Sequence, residues 1–161
     1  MQQSDKIRIG AWTIYKKHVQ NVVLNKQTDH PGDVSYWRNA VFCNILTYLT
    51  PLSLIALVPS AIMVFISGLG VIGFADLFTF FILLLLTISP GIKIELRKAI
   101  FIIILFCLSV TLLYFLPFPA PGLLFALAVT ILSSLIYSTA ASYVSSWANT
   151  IICVFLLYLF I

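Results

Sequence analysis

Few side chains in this sequence could do chemistry, and one acid stands apart from the rest. Asp76 is the only acidic residue inside a long apolar run of the chain. An ionisable group in such a run is costly to bury, and it is by default a candidate for ligand or signal binding. Asp76 follows the glycine-rich segment 67–73 by about one helical turn, so local structure at a helix end is the alternative reading.

No set of residues in the chain suits catalysis or metal binding. His18 and His30 lie in a polar segment without an acid or a cysteine at ligand spacing. Cys43, Cys107 and Cys153 lie singly in apolar runs, without CxxC spacing. No nucleophile is accompanied by a base and an oxyanion stabiliser. We therefore predict no catalytic residue, no metal site and no cofactor within these residues.

The distribution of charge predicts the class of protein. Charged residues make up 9% of the chain, against roughly a quarter in soluble domains. From Val41 to Ile161 there are only five charged side chains, and four of them lie between 93 and 98. We therefore predict an all-α, polytopic integral membrane helical bundle. Residues 1–40 would form a polar or amphipathic N-terminal segment, and residues 41–161 the transmembrane domain.

Apolar runs and the turns between them predict about five transmembrane helices. A helix that spans the bilayer needs roughly 20 apolar residues. The predicted spans are about 41–66, 72–89, 99–116, 123 to about 137, and 147–161. They are separated by a glycine turn at 67–73, a basic loop at 90–98, a proline loop at 117–122 and a serine-rich connection near 138–146. Whether 123–161 forms two spans or one long broken helix stays open.

Basic residues predict the orientation of the bundle. The N-terminal segment and the loop at 93–98 are both basic, and two spans separate them, so they fall on the same side. The positive-inside rule makes that side the cytoplasm, with the chain in the inner (cytoplasmic) membrane. Trp37, Arg38, Arg97 and Lys98 are predicted to anchor the helices at the headgroups. The basic flanks suit anionic lipid rather than nucleic acid.

The N-terminal segment allows two interpretations. Trp12, Tyr15, Val19, Val22 and Val23 recur at helical spacing, with basic and amide side chains elsewhere on the wheel. This pattern is typical of an amphipathic helix on the cytoplasmic membrane surface. A weakly ordered tail is the alternative.

Small and polar residues near the C-terminal end predict helix packing. Ser134, Ser138 and Ser142 recur at a spacing of four. Small residues on one helix face allow neighbouring helices to approach closely. Asn149 is predicted to hydrogen-bond across helices near the same seam.

Prolines are the other candidates for a response to a signal, besides Asp76. Pro59 lies within the first predicted span, where a proline removes a backbone hydrogen bond and can kink the helix. Pro117, Pro119 and Pro121 stiffen the uncharged loop at 117–122.

Several short motifs in the chain resemble one family. The stretch DVSYWRNAVFCNILTYLTPLSLIALVPS begins at Asp33, and Arg97-Lys98 with Phe101 opens the third predicted span. Pro121-Gly122-Leu123 opens the fourth span, and Asn149 lies in a late span. Together these elements resemble the N-terminal multi-pass membrane module of bacterial sensor histidine kinases, often hybrid kinases. The likeness covers most of residues 33–155.

The resemblance implies a sensory module that is followed by cytoplasmic signalling domains such as PAS and kinase domains, and we expect the module to form a homodimer. Its mechanism would be a small shift or bend of packed helices. The chain has no catalytic histidine or nucleotide motif, so kinase activity is not assigned to these residues and the status as an enzyme stays open. Because Ile161 ends an apolar run, we expect a fragment that is cut near its last span. The alternative is a small standalone membrane protein that acts as an accessory subunit or a transporter component.

Overall fold

The computed structural model of the protein is helical, and it describes residues 2–24, 33–68, 70–116, 120–137 and 139–160. Within these ranges the chain forms six α-helices. They are α1 (Gln2–Leu24), α2 (Val34–Ile66), α3 (Gly70–Ile88), α4 (Ile94–Phe115), α5 (Ala120–Ile136) and α6 (Thr139–Phe160).

Helices α2 to α6 follow one another as antiparallel neighbours. Between α2 and α3, Thr50 bonds to Thr87 and Ser60 bonds to Asp76, so residues later in α2 meet residues earlier in α3. Neighbours α4 and α5, and α5 and α6, also pack against each other. Consecutive helices joined by short connections have this arrangement in helical bundles.

Three helices of the described chain are long and apolar enough to cross a membrane. They are α2 over Val34–Val64, α3 and α4, and the shorter apolar helix Pro121–Ile136 joins them. The prediction of an all-α membrane bundle is therefore confirmed. The 33 residues of α2 rise about 50 Å, which exceeds the roughly 30 Å of a hydrocarbon core. The count of five spans depends on α6 and stays a prediction.

The predicted basic loop and the predicted proline loop are both shorter than the sequence indicated. Helix α4 begins at Ile94, within the predicted loop 90–98, and α5 begins at Ala120, within the predicted loop 117–122. Glu95 suits the first turn of α4 because a helix N-terminus favours negative charge. Pro121 is tolerated in the first turn of α5, where its missing N–H would have no partner.

The stretch 123–161 contributes to two separate helices, α5 and α6. Helix α6 begins at Thr139, so most of the predicted serine-rich connection at 138–146 is helical. Alanine and serine are both compatible with a helix interior, so a run of these residues does not by itself indicate a loop. The α5 and α6 helices contact each other, which excludes one long broken helix.

The two prolines of the first span lie inside α2, and the helix continues through both. Around Pro51, the hydroxyls of Thr47 and Thr50 donate to the carbonyl oxygens of Cys43 and Leu46, at 2.8 Å each. Hydroxyls that bond back by one turn often accompany a local bend in a helix.

Within the N-terminal segment the structure describes the helix α1, while its predicted place on the cytoplasmic membrane surface stays a prediction. Val19 and Val23 of α1 are 0% and 5% exposed, and they belong to a core cluster with Phe42, Leu46 and Leu86. Helix α1 packs against α2 and α3. The helical spacing of the apolar residues in α1 therefore corresponds to a face that is buried against the bundle.

Candidate functional site

Arg97 is the most deeply buried charged side chain that the structure describes. It is 0% exposed. Its Nε donates to the carbonyl oxygen of Ile92 at 3.1 Å, and its Nη2 to that of Val22 at 3.3 Å. Its Nη1 also donates to the carbonyl of Leu86, and its Nη2 to that of Ser89. We call this group, the guanidinium with its four carbonyl partners, the Arg97 clamp.

The chemistry of a guanidinium explains the Arg97 clamp. The last carbonyls of a helix have no partner within the helix, and the helix dipole makes that end negative. Leu86 and Ser89 lie at the C-terminal end of α3, and Val22 lies in the last turn of α1. Arginine presents five donors in a fixed fork. Arg97 therefore caps the C-terminal end of α3, and the same guanidinium also bonds to α1. Among the described side chains, no carboxylate lies within ion-pair distance of Arg97.

The neighbouring base has an ordinary ion pair. Lys98 Nζ lies 2.7 Å from Glu95 Oε1, and the side chains of Lys98 and Glu95 are 5% and 67% exposed. A pair at i and i+3 with one exposed partner contributes little to stability. Arg97 and Lys98 thus lie in the first turns of α4 rather than in a loop, while their role as membrane anchors stays a prediction.

The other two predicted anchors lie in the first turns of α2. Trp37 is largely exposed and Arg38 is half-buried. The ring of Tyr36 meets the ring of Trp37 edge to face, with centroids 5.8 Å apart. The Asp33 carboxylate accepts a bond from the Ser35 N–H at 3.4 Å, just before this helix begins.

Buried hydroxyl groups link α2 and α3 near the Arg97 clamp. Thr50 and Thr87 hydroxyl oxygens lie 2.9 Å apart, and each also lies within bonding distance of a carbonyl in its own helix. The Tyr15 hydroxyl of α1 is buried and has no hydrogen-bond partner among the described residues. Burial raises the pKa of the Tyr15 hydroxyl above its ordinary value.

An apolar cavity of about 420 Å³ lies between α2, α3, α4 and α5. We call it the Asp76 cavity. Asp76 and Ser60 provide polar groups in its wall, and the Ser60 hydroxyl donates to Asp76 Oδ2 at 3.0 Å. Most of the remaining wall is aliphatic or aromatic, and it includes Leu49, Leu86, Phe101 and Phe125.

The Asp76 cavity is elongated along the bundle. From Asp76 to Leu86, helix α3 rises about 15 Å, and both residues line the cavity. Asp76 lies toward the start of α3, and Leu86 toward its end. The carbonyl of Leu86 belongs to the Arg97 clamp. The cavity therefore extends from a half-buried acid to the helix end that Arg97 caps.

Asn149 makes the cross-helix contact that the sequence predicted. Its side-chain amide donates to the carbonyl of Ala126 at 2.6 Å and to Thr130 Oγ1 at 2.8 Å, which joins α6 to α5. Ser134 is exposed, and its hydroxyl donates to a carbonyl of its own helix. Ser142 is half-buried, and Ser138 lies outside the described residues. The serine seam therefore stays a prediction.

Of the predicted prolines, the structure describes one on α2 and one on α5. Pro59 is exposed on α2, and Pro121 is exposed in the first turn of α5, where it also lines the Asp76 cavity. Pro117 and Pro119 lie outside the described residues.

The sequence did not predict the close contact between α4 and α5 at Gly122. Ser109 donates from α4 to the carbonyl of Gly122 at 2.8 Å. A Cβ at Gly122 would lie 2.5 Å from Leu113 Cγ and 2.8 Å from the backbone nitrogen of Leu113. Glycine is therefore required here for α4 and α5 to approach. A glycine beside a proline reads as a loop, which concealed this role.

The Arg97 clamp also escaped the sequence analysis, although one signal was present. The cluster at 93–98 has three bases and a single acid, Glu95. At least one base must therefore find other acceptors or water. The sequence does not indicate which base turns inward, because the acceptors are backbone carbonyls that every residue has.

The all-helical fold and its long apolar helices define the class as integral membrane proteins, and a family comparison narrows this class. Residues 36–161 match the model of the MASE11 family. The chain belongs to this family of membrane-associated sensory domains. No curated protein and no solved structure matches the chain significantly.

Proposed function

We propose that this chain is the signal-input module of a bacterial sensor histidine kinase or hybrid kinase. In this proposal the membrane bundle responds to a stimulus and passes its change to cytoplasmic signalling domains. The functional unit is a homodimer in the cytoplasmic membrane with its N-terminus inside. The sensory family supports the input role, and the motifs from Asp33 to Ser60 and at Arg97-Lys98 support the kinase context.

One observation carries the mechanism, namely the double role of Leu86. Its side chain is 2% exposed and lines the Asp76 cavity, while its carbonyl is held by Arg97. The same guanidinium bonds to Val22 of α1. A change in packing at the cavity would therefore alter the carbonyl positions that fix α1 to the bundle. Packed interfaces switch between discrete arrangements, which suits a small shift as the output.

Phosphorylation of the native gene product tests this proposal. Membrane vesicles that contain the native product would be incubated with radiolabelled ATP, and acid-labile phosphohistidine would be measured. Leu86→Met conserves volume and changes shape at the shared residue, while Leu85→Met changes a neighbour that is 45% exposed. We expect a several-fold change in phosphorylation for Leu86→Met and none for Leu85→Met.

Two results would contradict the proposal. The first is a native product whose intact mass and reading frame include no signalling domain, with no phosphohistidine formed. Substrate flux in liposomes would then support the alternative of a transporter component. The second is equal phosphorylation in the Leu86 and Leu85 variants, which would remove the cavity-to-clamp route while leaving the kinase context intact.

Cysteine labelling tests the proposed orientation. Ser67 and Lys93 are exposed at opposite ends of α3 and its flanks. In a variant without the native cysteines, Ser67→Cys should react with a membrane-impermeant maleimide in intact cells. Lys93→Cys should react only after the membrane is permeabilised. The reverse pattern would overturn the orientation.

A further inference from the structure

We propose that the Asp76 cavity binds a single-chain amphiphile whose head donates hydrogen bonds, such as a primary ammonium or a primary hydroxyl group. Asp76 and Ser60 would bind the head, and the chain would extend toward Leu86 and Phe101. This inference deepens the proposed function, since the ligand would be the stimulus of the input module.

The size and polarity of the cavity suit one alkyl chain. Its volume of about 420 Å³ lies within the roughly 300–1,000 Å³ of small-molecule sites. Its length along α3, about 15 Å between Asp76 and Leu86, exceeds what a compact ligand requires. An apolar cavity of this kind does not hold ordered water well. Its limited volume also disfavours a bilayer lipid with two acyl chains.

The polar end of the cavity determines the chemistry of the head. A carboxylate has two oxygens that only accept hydrogen bonds, and the Ser60 hydroxyl supplies one donor. Among the described side chains, no base lies within ion-pair distance of Asp76. A carboxylate in an apolar wall is costly without further partners. A head with hydrogen-bond donors provides them, whereas an anionic head would be repelled.

Photolabelling measures this binding directly. The native protein in phosphatidylcholine vesicles would be irradiated with decylamine or decan-1-ol that has a diazirine within the chain, and labelled peptides would be mapped by mass spectrometry. We expect adducts on cavity residues of α3 and α4. Unlabelled decylamine and decan-1-ol should displace the probe at concentrations at least tenfold lower than decyltrimethylammonium or decanoate. The head of decyltrimethylammonium has no N–H group, and the head of decanoate is an anion that only accepts hydrogen bonds.

Two variants and one control separate the head from the chain. Asp76→Asn keeps the shape and removes the charge, so decylamine should lose at least tenfold in competition while decan-1-ol changes less. Ala56→Trp fills the cavity wall and should reduce labelling about tenfold. Leu54→Trp introduces the same side chain at an exposed position outside the cavity and should leave labelling unchanged.

Uniform adducts along exposed positions of the helices, unchanged by Asp76→Asn and Ala56→Trp, would mean ordinary partition into the bilayer and would overturn the site. Competition that ignores the head group would overturn the role of Asp76. The assay does not require a downstream domain. Specific labelling of a product without kinase activity would therefore reject the proposed function and retain the site, and phosphorylation without specific labelling would do the reverse.

Discussion

The two ends of the bundle each contain a charged side chain, and the two side chains differ in burial and in hydrogen-bond partners. At one end Arg97 is 0% exposed, and carbonyls from α1, α3 and the connection to α4 surround its guanidinium. At the other end Asp76 is half-buried beside an apolar cavity, and one hydroxyl group bonds to it.

This difference separates a structural charge from one that is available for binding. The donors of Arg97 are used by the protein itself, so its burial is compensated within the fold. The acceptors of Asp76 are only partly used, and space for a ligand lies beside them. A buried polar group with incomplete partners is where a ligand gains the most from a complementary head.

Removing the guanidinium should have the largest effect on stability. Arg97→Leu leaves several carbonyls in the bundle without a donor, and each such group costs about 1–3 kcal/mol. We expect a loss of about 3 kcal/mol or more in apparent unfolding free energy in detergent. Faster tryptic cleavage at Lys16 and Lys17 should accompany it, because α1 loses its bond to Arg97.

The matched measurements at the opposite end sharpen this comparison. Asp76→Asn should change unfolding free energy by less than about 0.5 kcal/mol, since the amide still offers an oxygen to Ser60. Lys93→Leu, at an exposed base near Arg97, should also be close to neutral. Equal losses for Arg97→Leu and Asp76→Asn would contradict the proposed difference between the ends.

The close contact between α4 and α5 at Gly122 should have the second largest effect on stability. Gly122→Ala places a Cβ against the backbone and side chain of Leu113, and overpacking typically costs about 1–3 kcal/mol. Thermal unfolding in detergent measures the loss. Gly70→Ala is the control, because a Cβ there meets nothing within 4 Å. A neutral Gly122→Ala would mean that α4 and α5 separate without cost.

The contact between α5 and α6 should have an intermediate effect. Asn149→Leu removes both hydrogen bonds to α5, and such bonds in membrane bundles average about 0.6 kcal/mol with a maximum near 1.7. We therefore expect a loss of about 1 kcal/mol. Thr150→Val removes a hydroxyl that bonds only within α6 and should change stability less. Equal effects of the two variants would show that the contact contributes nothing specific.

The hydroxyl pair between α2 and α3 should contribute less again. Two hydroxyl protons serve three contacts around Thr50 and Thr87, so one of these contacts is unmade at any moment. A double-mutant cycle with Thr50→Val and Thr87→Val should give a coupling of about 0.5 kcal/mol. Strict additivity would show that the hydroxyl pair does not join the helices.

The smallest effect is expected at Tyr15. Its buried hydroxyl lacks a hydrogen-bond partner among the described residues, so Tyr15→Phe should change stability by less than about 0.5 kcal/mol at neutral pH. Burial raises the pKa of Tyr15, so the unfolded chain ionises first above about pH 10. The folded state then loses stability as the pH rises through the folded pKa.

The pH dependence of Tyr15→Phe tests that sign. Unfolding of the wild-type chain should become easier between pH 10 and the folded pKa, and part of this alkaline loss should be absent in Tyr15→Phe. Identical alkaline profiles would indicate that the hydroxyl reaches water in the folded protein.

Much of the helical layout was predictable because hydropathy is a local property. The runs near 41–66, 72–89 and 99–116 correspond to α2, α3 and α4, since apolar length alone determines whether a helix can span a bilayer. The loops were predicted too long. Charge, proline and serine were read as loop signals, whereas helix termini accept all three.

The candidate sites were less predictable. Asp76 was recognised because an isolated acid in an apolar run is visible in the sequence. The cavity beside it was not visible, because its wall combines side chains from four helices that no spacing rule connects. Arg97 was identified as an anchor from its charge, without its carbonyl partners.

The sequence by itself determined that this is a membrane helical bundle with one isolated intramembrane acid and a basic cluster at one end. Tertiary structure alone decided which base is buried and where the acid faces a cavity. The physical reason is the distance in sequence between the partners. Arg97 meets a carbonyl 75 residues away, and carbonyls are present in every residue, so only packing selects which of them becomes a partner.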